Sequence, residues 1–139
     1  MRTAHLDERT GFFNGTSVFL LPAGREQAAC IVDIQKPAGA AYREWRVATA
    51  LPEARGTKRY GFGEYRAQDY DELVDHPVTL GHFALATFKA HGVPHDIVIA
   101  GRTVSVDMAR LAADLKRICE TQIALFEPRT KKAPVDRYV

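Results

Sequence analysis

Cysteine is scarce: Cys30 and Cys119 are the two in 139 residues, and they stand too far apart for a C-x-x-C redox or zinc motif. Both read as buried, reduced thiols, with Cys119 on a helix face among apolar neighbours, where a thiol is inert. Serine is equally sparse. Ser17 and Ser105 are the only two, and neither sits in a G-x-S-x-G turn, which leaves serine nucleophile chemistry without a residue. No apolar run approaches the roughly 18 residues that span a bilayer, so no membrane partner is expected. Residues 1–9 lack the apolar core of a signal peptide, and on that ground a cytoplasmic location is favoured. An excess of one charge sign is missing too: 19 basic and 17 acidic residues are interspersed and leave a net +2. That argues against nucleic acid, which wants a clustered basic face. The densest basic run, Arg129 to Lys132, lies between Pro128 and Pro134 and reads as a short solvated loop.

What is present is the pattern of one ordinary globular core. The first half reads as antiparallel strands. Asn14-Gly15 is a hairpin-turn signal, and the apolar run Val18 to Leu21 after it stops at Pro22. Strands follow at Cys30–Ile34 and at Glu44–Ala48, where Trp45 and Val47 share a face by the period of two. The glycine-rich stretch Arg55 to Gly63 is a loop, its glycines too loosely spaced for a phosphate cradle. In the second half, Phe83–Ala90 and His95–Ala100 are strand-like runs joined by a short turn-rich connection. Neither alternates cleanly, so both faces want partial cover. The strongest helix signal runs from Val106 to Phe126, with Met108, Leu111, Leu115, Ile118 and Leu125 recurring at steps of three and four. Ser105 or Asp107 can cap it, and Pro128 ends it. The class expected is α+β: antiparallel strands, then a β-hairpin packed on one long helix.

One stretch invites a chemical reading. Asp69, Asp71, Glu72 and Asp75 precede His76, and His82 follows shortly after. Helix physics accounts for most of it: Asp69 and Glu72 have capping-box spacing, with Glu72 expected to reach back to the cap residue, and Asp71 lies in the first turn, where exposed amides favour negative charge. Tyr70, Leu73 and Val74 supply the apolar face. Pro77 pushes His76 out of helical geometry and ends the element, and His82 is expected to enter a strand. A metal needs three or four converging ligands. Asp75, His76 and His82 are separated by a proline and a glycine, and no sequence rule brings them together, so no metal ligand is assigned. Asp75, His76 and His95 are expected as hydrogen-bonded, buried polar groups. Residue chemistry alone names no catalytic residue.

The order of several blocks does carry a resemblance. Gly11-Phe-Phe-Asn-Gly-Thr-Ser17, Trp45-Arg-Val-Ala-Thr-Ala-Leu-Pro52, Asp69-Tyr-Asp-Glu-Leu-Val-Asp75-His-Pro-Val, Gly92-Val-Pro-His-Asp-Ile97, Leu111-Ala-Ala-Asp-Leu-Lys and Pro134-Val-Asp-Arg-Tyr138 are collinear over nearly the whole chain. Together they resemble the glycyl aminopeptidase family of zinc metallopeptidases. In that family an N-terminal β-sandwich precedes a thermolysin-like catalytic domain, often followed by a PDZ domain.

The resemblance implies a piece of a longer peptidase. Residues 1–68 would be the C-terminal part of the β-sandwich, and residues 69–139 the front lobe of the catalytic domain, ending before the zinc motif. The intact parent would be a zinc enzyme acting on peptides with small N-terminal residues such as glycine or alanine. The piece itself would be inactive, hold no cofactor, and have the rest of its own chain as its partner. By looser analogy with larger aminopeptidases, Asn14 and Thr16 face the substrate cleft in the parent. His76 stands where a serine is common in the family, and no role is assigned to it. The rival reading is a stand-alone interaction module that pairs through exposed strand edges, and unpaired edges of a truncated sheet would also favour an artefactual homodimer.

Overall fold

Two short strands begin the chain. β1 (His5–Leu6) and β2 (Thr10–Phe13) form an antiparallel hairpin. Its turn is closed by Asp7, whose Oδ1 accepts from the Arg9 and Thr10 amides at 2.7 and 2.8 Å. Those amides hold the Asp7 carboxyl below its ordinary range. The structure is a computed structural model and describes residues 4–101 and 105–139.

The expected hairpin at Asn14-Gly15 is not formed. Gly15–Ser17 instead make a 3-10 turn with Asn14 as its N-cap. The run Val18 to Leu21, expected as a strand, is irregular, and Leu20 is 92% exposed. Only Phe19 turns inward, edge-on to Phe13 at 5.8 Å. Apolar composition marked the segment, but among the described residues no strand pairs with its backbone.

β3 (Cys30–Ile34) runs antiparallel to β5 (Gly63–Ala67). β4 (Arg46–Ala48) and β2 both pair with β6 (Val78–Gly81), giving a four-stranded sheet of order β1-β2-β6-β4. Between β5 and β6 lies α1 (Tyr70–Asp75). Trp45 and Val47 are both buried, as a shared face requires. The core draws on both sheets and on α1: Ile34, Tyr65 and Ala67 come from one sheet, Val47 and Val78 from the other, and Leu73 from the helix. Tyr65, at its centre, donates its hydroxyl to the Gly61 carbonyl at 2.6 Å. Burial, with the Glu53 carboxylate nearby, pushes its phenol up to about 12.

The first compact unit therefore extends to His82, and the second runs from Phe83 to Val139. A division between residues 68 and 69 would cut through the first unit, because β6 is the strand on which β2 and β4 both depend. His82 lies exposed between β6 and the following strand rather than within either.

In the second unit β7 (Phe83–Ala90) and β8 (Val93–Ala100) form a regular hairpin. His91 and Gly92 make its turn with φ of 44° and 87°, the pair of positive values a type I′ turn needs. The Nε2 of His91 donates to the Glu120 carbonyl at 3.0 Å and so ties the hairpin tip to α2 (Met108–Phe126). Asp107 caps α2, accepting the Arg110 amide at 3.0 Å. α2 lies along β7, yet none of its residues is fully buried, and Ile118 and Leu125 are 51% and 74% exposed.

Tyr138 returns beside β8 in parallel. The Asp96 amide donates to its carbonyl at 2.9 Å, and its own amide donates to the Pro94 carbonyl at 3.0 Å. Asp96, directly opposite Thr87, has a wholly inaccessible side chain. It accepts from the Thr87 hydroxyl and from Arg137 Nη1, each at 2.8 Å.

Candidate functional site

The 3-10 turn and α1 come together through a missing side chain. A Cβ on Gly15 would lie 2.6 Å from the Cα of Val74 and 3.0 Å from the Leu73 carbonyl oxygen, so only glycine lets the two backbones approach this closely. Tyr70 fixes the other end of the contact: its hydroxyl donates to the Phe19 carbonyl at 3.1 Å, and its amide to the Glu26 carbonyl at 3.2 Å.

Between them opens a polar cleft of about 600 Å³, with Asn14 and Thr16 on one wall and Asp69, Asp71, Glu72, Asp75 and His76 on the other. The two residues expected to face substrate thus share a cleft with the acidic stretch, although they are more than fifty positions away in sequence. Within it most polar atoms serve the fold. Asn14 Oδ1 accepts from the Thr16 amide at 3.4 Å and from its hydroxyl at 3.2 Å. Asp69 Oδ1 accepts the Glu72 amide at 2.8 Å, as the N-cap reading requires. Glu72 reaches back one residue further than a capping box predicts, accepting the Gln68 amide rather than that of Asp69. His76, half-buried, donates from Nδ1 to the Glu72 carbonyl at 2.6 Å.

Asp75, expected as buried, is exposed on the last turn of α1, along with Asp71 on the first. The reason is helical phase: Leu73 faces the core at 7% exposure, and residues two positions to either side point away from it. What remains free in the cleft is an anionic rim and the Asn14 amide. Such a surface can attract a cation or receive a protonated amine. Among the described residues no three His, Cys, Asp or Glu side chains converge as metal ligands would.

The other singled-out residues lie elsewhere. Cys30 is half-buried, donating its thiol to the Ala28 carbonyl at 3.4 Å. Cys119 is half-buried on α2. His95 is buried at 6% in β8. Sequence reasoning missed Asp96 altogether. The signal available was the Thr87–Asp96 pairing, legible once both strands and a two-residue turn at His91-Gly92 are assumed.

Residues 1–82 match the family model of the Peptidase M61 N-terminal domain. The chain belongs to the peptidase M61 family. The matched M61 segment ends at the same residue as the first compact unit, so sequence kinship and backbone contacts draw one boundary. The chain is also similar to the crystal structure of an aminopeptidase N family protein from Idiomarina loihiensis, with 39% identity and a TM-score of 0.86. That match covers 98% of this chain and 22% of the other, so the M61 chain described here spans about a fifth of that relative's length. No curated protein matches it.

Proposed function

We propose that this chain is a non-catalytic part of a zinc aminopeptidase that removes small N-terminal residues, glycine or alanine, from peptides. The observation that carries the reading is the M61 match over residues 1–82, together with the collinear likeness of 98% of the chain to an aminopeptidase N family structure. On this reading the first unit is the end of a β-sandwich, and the second unit is the front lobe of the catalytic domain. The remainder of the parent chain covers the apolar face of α2 that Ile118 and Leu125 leave to solvent. The residues present do not fit zinc: the sequence contains no H-E-x-x-H, and the described side chains form no ligand cluster. The ligands therefore belong to another part of the parent. The anionic cleft of Asn14, Thr16 and α1 is where this part would meet the protonated amine of a peptide.

The test uses the full-length product of the gene beside the 139-residue chain. Full-length protein is expected to bind zinc in stoichiometric amount, to hydrolyse glycyl and alanyl anilides, and to lose activity to a chelator, while the 139-residue chain binds no stoichiometric zinc and hydrolyses neither anilide. Zinc-replete full-length protein without aminopeptidase activity refutes the proposal.

A further inference from the structure

A third polar group of the cleft is also unengaged: the Nε2 of His76. Pro77 holds His76 in extended backbone, with φ of −107° and ψ of 101°, so that it closes α1 instead of continuing it. Its Nδ1 lies 2.6 Å from the Glu72 carbonyl oxygen, which can only accept, so Nδ1 carries the proton of the neutral ring and Nε2 the lone pair. Nε2 has no hydrogen-bond partner among the described residues. Nor is it sealed in the interior: among the described side chains, the buried polar atom without a partner is Arg59 Nε.

The other groups on the cleft divide by what they can offer an amine. Its carboxylates all come from α1 and the cap of that helix: Asp69, Asp71, Glu72 and Asp75. Asp69 and Glu72 each accept a backbone amide already, whereas Asp71 and Asp75 are exposed. The facing wall brings Asn14 and Thr16, neither of which titrates. Asn14 Oδ1 takes both the amide and the hydroxyl of Thr16, which leaves its Nδ2, a donor, to the cleft. His76 Nε2 is therefore the free neutral acceptor beside the two exposed carboxylates. An ammonium group carries donors only, so it suits that atom while the ring is neutral. Once the ring is protonated, Nε2 becomes a donor and the imidazole a cation, and both changes oppose an amine.

We propose that His76 is a proton-gated acceptor for the protonated amine of the substrate: neutral, its Nε2 accepts one N–H of the amine while Asp71 and Asp75 supply the opposite charge; protonated, it excludes the amine. This role rests on the amine reading of the cleft under Proposed function and adds to it a dependence on pH. Proton and substrate compete for one lone pair, and no covalent step is involved. Carboxylates alone would give no such dependence, because they are ordinarily ionised above about pH 5. Histidine is the side chain that changes charge between about pH 5 and 8.

The test is a titration of the 139-residue chain with glycinamide, a small protonated amine, followed by 15N NMR of the His76 ring and of the Asn14, Thr16 and Asp75 amides. Saturable binding that moves Nε2 is expected at about pH 7 and is expected to weaken roughly tenfold at about pH 5.5. His76→Gln, which can place an oxygen acceptor where Nε2 stands and does not titrate, is expected to bind glycinamide equally at both. In full-length protein the same contrast is read on KM for a glycyl anilide, which rises on acidification in the unaltered enzyme and stays level in His76→Gln, while kcat follows one pH curve in both. If His76→Gln does not fold, the Nε2 shifts of the unaltered chain at the two pH values decide alone. Equal glycinamide binding at both pH values, or a pH dependence that survives in a folded His76→Gln variant, overturns the proposal and leaves the aminopeptidase reading standing. Absence of saturable binding at the cleft overturns the proposal together with the amine role of the cleft. Gated glycinamide binding in a protein without aminopeptidase activity upholds the role of His76 and removes the aminopeptidase reading alone.

Discussion

Replacing Gly15 with alanine tests whether the polar cleft depends on backbone proximity. The added Cβ would sit 2.6 Å from Val74 Cα, 3.0 Å from the Leu73 carbonyl oxygen and 3.2 Å from Phe19 Cδ2. Carbon atoms settle about 3.5–4.0 Å apart, so the 3-10 turn and α1 must separate by about 1 Å. The two nearest atoms are backbone, and no change of rotamer relieves them. Overpacking of this kind costs about 1–3 kcal/mol. The narrower unfolded ensemble of alanine offsets about 0.4–1 kcal/mol of that, leaving a net loss of about 1–2 kcal/mol. With a urea slope of about 1–3 kcal/mol per molar, the midpoint falls by roughly 0.5–1 M. Trp45, the single tryptophan and 4% exposed in the first unit, supplies the fluorescence signal for that unit alone. Adding Val74→Ala is expected to restore nothing, since the clash is with the Val74 backbone. A midpoint equal to or above that of the unaltered chain refutes the argument.

Two further outcomes follow from buried groups. The Tyr65 phenol is pushed from 10.0 to about 12, so between those values the folded chain keeps a proton that the unfolded chain has lost, and stability falls as pH rises; the loss, about 3 kcal/mol across the window, is read as the difference between the unaltered chain and Tyr65→Phe in alkaline urea titrations, and parallel curves refute it. Asp96→Ala strips the partner from Thr87 and Arg137 and is expected to cost about 2–3 kcal/mol, below the figure for a fully buried pair because Arg137 is 36% exposed; amide exchange at Asp96 and Tyr138, which bond across β8, should quicken, and unchanged protection there counts against the ion pair as a tether.

Elements whose signal is local were legible in the sequence. α2 follows from its periodic apolar residues and its Asp107 cap, α1 from Asp69 and Pro77, and β3 and the two strands of the β7–β8 hairpin from short, mainly apolar runs bounded by turn residues. β6 was not, because Val78–Gly81 is only four residues long and is a strand by virtue of β2 and β4 on either side. β5 was obscured by the glycines before it. Val18 to Leu21 erred in the other direction, since apolar content predicts a strand only where a partner edge exists. The cleft was half legible: the acidic stretch and the Asn14–Thr16 turn each stood out, but their meeting across Gly15 depends on tertiary approach, which carries no periodic mark.

β6 also sets an order of events during synthesis. Gly81 is the register partner of Thr10 on one side and of Arg46 on the other, so neither β2 nor β4 can complete its ladder until the last strand of the unit has left the ribosome. Until then the nascent chain carries open strand edges waiting on a distant segment, the condition in which pairing is slow and exposed to misassociation. A translational pause, a stop or a proteolytic nick just after α1 would therefore leave an unfinished sheet rather than a smaller domain.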